Sequence, residues 1–205
     1  MNIKRLLFFI PAAFFLSCAA EKGPLHLHPA GYNGTGYYQS GEKSSFENKS
    51  LKVTLRHITR LSETERDPLM LELFAKNFIF LRLDIENRSS LEVTYDPSHT
   101  SLVSGSFGYE KPVDYTELYH IVSEKYEGGL PERRLSSLKG KFYDLATKVP
   151  PGGKASKFLI FYPFEKDSKG EDAALTINEL YMGVDTVSLS FPFKIKAVEG
   201  GARGY

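Results

Sequence analysis

Ile79, Leu81, Leu83 and Ile85 take every second position in the middle of the chain, and Arg82, Asp84 and Glu86 fill the gaps. That period predicts a strand with one buried and one wet face, and the rest of the chain is arranged around it. The polar turn Asn87-Arg88-Ser89-Ser90 ends this strand. Leu91, Val93 and Tyr95 then resume the alternation, which predicts its neighbour. Upstream, Leu51, Val53 and Leu55 alternate with Lys52, Thr54 and Arg56 to give an earlier strand. The segment between is ambiguous. Ser62 with Glu65, or Asp67 with Pro68, can cap a helix carrying Leu69, Met70, Leu73 and Phe74, yet Leu69, Leu71 and Leu73 also alternate.

Beyond Pro112 the period changes. Asp114 stands three residues before Glu117 as in a capping box, and Tyr115, Leu118, Tyr119, Val122 and Tyr126 trace a helical stripe. A second helical pattern starts at Pro131 and carries Leu135, Leu138, Phe142 and Leu145, weakened by Gly140. The region 113–146 is far longer than an ordinary connection and reads as a helical insertion between strands. Such an insertion either builds a binding surface or plugs an open edge of the sheets. Pro150-Pro151-Gly152-Gly153 then makes a sharp turn into Phe158-Leu159-Ile160-Phe161, an apolar run suited to a strand buried on both faces. Leu175, Ile177, Leu180 and Met182 predict a further strand with an irregularity after Ile177. Val187, Leu189, Phe191, Phe193 and Ile195 predict a last one, in which Pro192 implies an edge or a bulge.

At least six strands separated by turn chemistry predict an all-β antiparallel sandwich over residues 50–196. The arrangement resembles the immunoglobulin-like domains of bacterial envelope lipoproteins of unassigned function. In that group a strand ending in an Asn-x-Ser turn is followed by a Pro-Gly turn and a second apolar strand. Phe78 to Ser89 matches the first element, and Pro151-Gly152 with Phe158 to Phe161 matches the second. The resemblance implies a fold and a location and supplies no catalytic residues.

The amino terminus points the same way. Lys4 and Arg5 precede an apolar run from Leu6 to Leu16, the layout of a secretory signal and too short for a membrane span. The run ends at Phe15-Leu16-Ser17-Cys18, which resembles a relaxed lipobox. The resemblance implies a signal peptide over 1–17, thioether lipidation of Cys18 and a stable membrane anchor. Cys18 is also the single cysteine, so no disulfide forms within one chain. Residues 18–49, rich in glycine and tyrosine, are expected to be a flexible tether, and 197–205 a disordered tail. Ala19 after Cys18 fits delivery to the outer membrane.

Composition adds exclusions. A hydrophobic fraction of 41% and a charged fraction of 25% are those of a folded protein. With 26 basic and 25 acidic residues there is no basic excess for nucleic acid. No motif asks for a cofactor. Gly153-Lys154-Ala155 fails as a phosphate loop, and Gly105-Ser106-Phe107-Gly108 fails as a nucleophile elbow. Asp84 and Glu86 share a strand face with Arg82, which favours a charge-compensated surface over paired-carboxylate chemistry. His26 and His28, two apart, form the beginning of a metal site that lacks further ligands. The leading expectation is a non-enzymatic module that binds an envelope protein, with Tyr115, Tyr119 and Tyr126 as contact residues. The alternative is a small-ligand or metal carrier using the histidine pair.

Overall fold

The computed structural model describes residues 24–32, 34–62, 65–106, 108–125 and 131–197. They form two antiparallel sheets with a few short helices. The strands are β1 (Leu25–Pro29), β2 (Tyr37–Ser40), β3 (Lys43–Glu47), β4 (Leu51–His57), β5 (Ile79–Asn87), β6 (Val93–Tyr95), β7 (Thr100–Ser104), β8 (Gly108–Glu110), β9 (Thr147–Val149), β10 (Lys154–Phe161), β11 (Asp172–Met182) and β12 (Asp185–Ala197). One sheet runs β1-β12-β11-β6-β9, with β7 pairing β11 and β8; the other runs β10-β5-β4-β3-β2.

Both sheets turn their alternating apolar positions toward each other. Val53 and Leu55 of β4 face inward with Leu81 and Leu83 of β5, and Leu175, Phe191 and Phe193 of the first sheet join them in one buried cluster. The polar residues between them point outward, so each strand's register follows from which face must be dry.

The organising strand β5 is paired on both sides, between β4 and the edge strand β10. Its expected neighbour, the run at Leu91, is displaced. Val93 and Tyr95 enter the opposite sheet between β11 and β9, while Leu91 stays exposed. Asn87 makes this crossing possible. Its side chain is fully buried, and Nδ2 donates to the carbonyls of Leu91 at 2.7 Å and Val149 at 2.9 Å. Its Oδ1 accepts from the Ser89 amide at 2.9 Å and the Ser89 hydroxyl at 2.7 Å. The Asn87 amide donates to Gly153 O at 3.0 Å. The Asn-x-Ser turn and the Pro-Gly turn, distant in sequence, are therefore one hydrogen-bonded joint between the sheets.

A second buried cluster sits outside the sheet β10-β5-β4-β3-β2. Phe80, Phe158 and Ile160 point away from the main core and are covered by helix α1 (Pro68–Ala75) and by the insertion, through Leu73, Leu118, Val122 and Phe142. This is why the run 158–161 is apolar on both faces. Asp67 and Pro68 start α1, with Asp67 Oδ1 accepting from Leu69 N at 2.9 Å. Ser62 and Glu65 close a local turn instead.

Four expectations need correcting. The tether expected over 18–49 is structured from Leu25 onward, as β1 to β3. The second helix is one short turn, α3 (Pro131–Leu135), because Gly140 at φ 78° turns the chain so that Phe142 reaches β10, leaving Leu145 72% exposed. Pro192 is neither on an edge strand nor in a bulge. It pairs with Ala174, while its carbonyl faces the other side and accepts from Ala30 N at 3.0 Å, just past the end of β1, so the missing N–H breaks no bond to β11. Ala197, expected in the tail, still closes β12, and the rest of the tail lies outside the described residues. The irregularity after Ile177 is present as a register shift between β11 and β12.

Candidate functional site

The insertion presents the first candidate surface. Helix α2 (Tyr115–Lys125) begins with the expected reciprocal cap: Glu117 N donates to Asp114 Oδ1 at 2.9 Å, and Asp114 N donates to Glu117 Oε2 at 3.0 Å. Leu118 and Val122 are buried against α1 and the outer face of β5 and β10. The opposite side exposes Tyr115, Thr116, Glu117, His120 and Glu124. The expected tyrosine stripe does not act as one surface. Tyr115 is 41% exposed, whereas Tyr119 is half-buried against the second cluster. Tyr126 and Cys18 lie outside the described residues. Lys111-Pro112 leads into this helix, and Val113 N donates to Ile160 O at 2.7 Å, fixing where the insertion leaves the sheet.

The second surface is the open part of the same sheet, not covered by helices. Glu47, on β3, gathers three donors: the Tyr38 hydroxyl at 2.7 Å, Arg88 at 2.6 Å and Lys52 at 3.2 Å. Hydrogen bonds from Tyr38, then Arg88 and Lys52, pull its carboxyl down to about 2. Arg88 also holds Glu86 at 2.8 Å, and Lys154 reaches Glu86 at 3.0 Å, which lowers that carboxyl too. Asp84 accepts from the Ser156 hydroxyl and lies 3.8 Å from Arg82. Arg82 in turn pairs with Glu65 and stacks 5.1 Å over the Phe158 ring. Asp84 and Glu86 are thus members of a compensated surface that draws on five strands, β2, β3, β4, β5 and β10, not a carboxylate pair facing a substrate.

The histidine pair is divided by its surroundings. His26 and His28 lie on one side of β1, both half-buried. The His26 ring stacks on that of His57 at 5.9 Å, nearly parallel. His57 is 2% exposed, and its Nδ1 accepts from Leu27 N at 3.2 Å, which assigns the neutral ring's proton to Nε2. Among the described residues no group of three or more His, Cys, Asp or Glu side chains is gathered so as to hold a metal ion. No helix among them is long and apolar enough to cross a membrane.

A third feature escapes the sequence pattern. An open pocket of about 410 Å³ lies at the end of the sheets where β4 finishes, lined by His57, Arg56, Arg60, Arg66, Glu42 and Glu65 among others. The only hint in the sequence is the crowding of arginine after His57. The two glutamates arrive from a hairpin and a turn whose positions only the register reveals.

No protein-family model matches the chain. Among solved structures it is similar to the yjhA protein from Bacillus subtilis, at 13% identity and a TM-score of 0.33, over 74% of this chain and 80% of that one. It is also similar to a functionally unknown protein from Listeria monocytogenes EGD-e, at 16% identity and a TM-score of 0.35, over 84% of this chain and 85% of the other. Likeness at this level carries no argument about what the chain does.

Proposed function

We propose that this chain is a bacterial envelope lipoprotein, anchored in the outer membrane through acylated Cys18, whose body is an immunoglobulin-like sandwich. In this reading it is a non-catalytic module that binds an envelope protein through the insertion over 113–146. The observation that carries the binding surface is the division of labour within α2. Leu118 and Val122 hold the helix to its own small core, and the side bearing Tyr115, Glu117, His120 and Glu124 contributes nothing to that core. An exposed tyrosine, with a large apolar ring and a polar tip, on a helix fixed from below suits a protein partner. The anchor rests on the resemblance of Phe15 to Cys18 to a lipobox.

The test is photo-crosslinking in cells from a probe replacing Tyr115, with the anchor intact. The hairpin tip at Val184, 98% exposed, serves as control. A discrete protein adduct at 115 and none at 184 is expected. Equal or absent adducts at both positions contradict the assignment of the binding surface to α2.

A further inference from the structure

We infer that the end of the domain carrying Arg56, Arg60 and Arg66 docks on an anionic phospholipid surface, an inference that rests on the reading of Cys18 as the lipid anchor. The chain between the anchor and the sheets is short. Because β1 begins at Leu25, only residues 19–24 separate Cys18 from the folded body. Fully extended, that segment spans at most about 25 Å. The anchored domain therefore stays within that distance of the headgroups.

This short segment enters at the arginine-bearing end. Leu25 pairs with Ala197 at the end of β12, and the next residue, His26, stacks on His57. His57 lines the arginine pocket. The opposite end of the molecule, at the β11–β12 hairpin bearing Val184, lies about 40 Å away along β12. The anchor thus pulls the arginine-bearing end, and not the other, toward the bilayer.

Charge favours the same end. Glu65 in the pocket pairs with Arg82 at 2.5 Å and also feels the charge of Arg56, and among the described lining residues Glu42 is the other carboxylate. Among the described residues Arg56, Arg60 and Arg66 take part in no ion pair. Guanidinium groups chelate phosphate oxygens in bidentate fashion, and a basic side chain near an anionic leaflet adds about a fivefold preference for the bound state. The three arginines, opposed by the Glu42 carboxylate, would favour a docked over a freely swinging domain on the order of 25-fold. This orientation turns the sheet faces roughly along the membrane normal.

The experiment uses the full acylated protein in vesicles. Once Cys18 is acylated no other thiol remains, so Thr59→Cys at the pocket and Val184→Cys at the far end each accept a single fluorophore. Quenching by headgroup-spin-labelled lipid is read in phosphatidylcholine with and without phosphatidylglycerol. The expected result is quenching at 59 that rises with phosphatidylglycerol, none at 184, and loss of the charge-dependent part in the folded triple variant R56Q/R60Q/R66Q. Quenching at 59 that ignores lipid charge or the triple substitution overturns the docking. A protein adduct at 59 in cells overturns it also and gives this face to a protein. Mass analysis of the same sample separates the two failures. An N-terminal peptide without the diacylglyceryl group removes the anchor and the docking together, whereas an acylated protein without charge-dependent quenching removes only the docking.

Discussion

Replacing Asn87 by alanine takes four hydrogen bonds from a side chain with no exposed surface. The losses are unequal. Leu91 O keeps a second donor, the Ser89 hydroxyl at 3.0 Å, but Val149 O loses its bond to Nδ2 in a buried place. A buried carbonyl left unpaired costs about 1–3 kcal/mol, and each remaining bond contributes about 0.5–1.5 kcal/mol. The expected total is about 3 kcal/mol, or a drop in Tm on the order of 10 °C for a chain of this size. Asn87→Asp sharpens the test. It keeps the acceptor for Ser89 but turns a carboxylate oxygen toward two carbonyls. Burial among acceptors raises the introduced carboxyl above its unfolded value, so this variant binds more protons folded than unfolded. It therefore loses stability as pH rises through the interval between the two values and regains it on acidification, relative to the alanine variant. Urea unfolding of the chain without residues 1–18, followed by circular dichroism because there is no tryptophan, measures both. A loss below about 1 kcal/mol for Asn87→Ala would refute the joint, as would identical pH profiles for the two variants.

Three further outcomes follow from the same geometry. Asp67→Ala removes the cap of α1 and is expected to cost about 1 kcal/mol by urea unfolding. Glu47, held at about 2 by Tyr38, Arg88 and Lys52, contributes stability that is present above its unfolded value near 4.3 and is lost as pH falls through about 2. Carbon-detected NMR should place its midpoint there, and Glu47→Gln should flatten the stability profile in that window. Phe142→Ala empties a fully buried place between the insertion and β10, and is expected to cost about 3–5 kcal/mol in thermal or urea unfolding.

The strands that face one core with one side were legible in the alternation itself. β4, β5 and β12 bury Leu55, Leu83 and Phe191 on the predicted side. The apolar run 158–161 was legible as doubly buried, although the sequence does not say that helices form the second cover. What escaped was pairing. Leu25 and Leu27 alternate with two histidines, but five residues followed by Gly31 and Gly34 carry too little signal to separate a strand from a linker. Val93 to Tyr95 read as the partner of β5 because consecutive strands usually pair, and the buried Asn87 amide overrides that preference by sending the chain to the other sheet. The candidate surfaces were half legible. The helical stripe of α2 was visible, but Tyr119 faces the small core and Tyr115 faces water, a difference of one turn that depends on how the helix is set against Phe80 and Phe158. The arginine pocket was not legible, since it forms from a strand end, a hairpin and a turn.

The claim on which location and orientation both depend is the anchor, and mass spectrometry of the amino-terminal peptide from the protein purified out of its native membranes tests it most directly. The peptide is expected to begin at residue 18 and to carry a diacylglyceryl thioether on Cys18. A peptide cleaved elsewhere, or one beginning at residue 18 with a free thiol, would contradict the anchor.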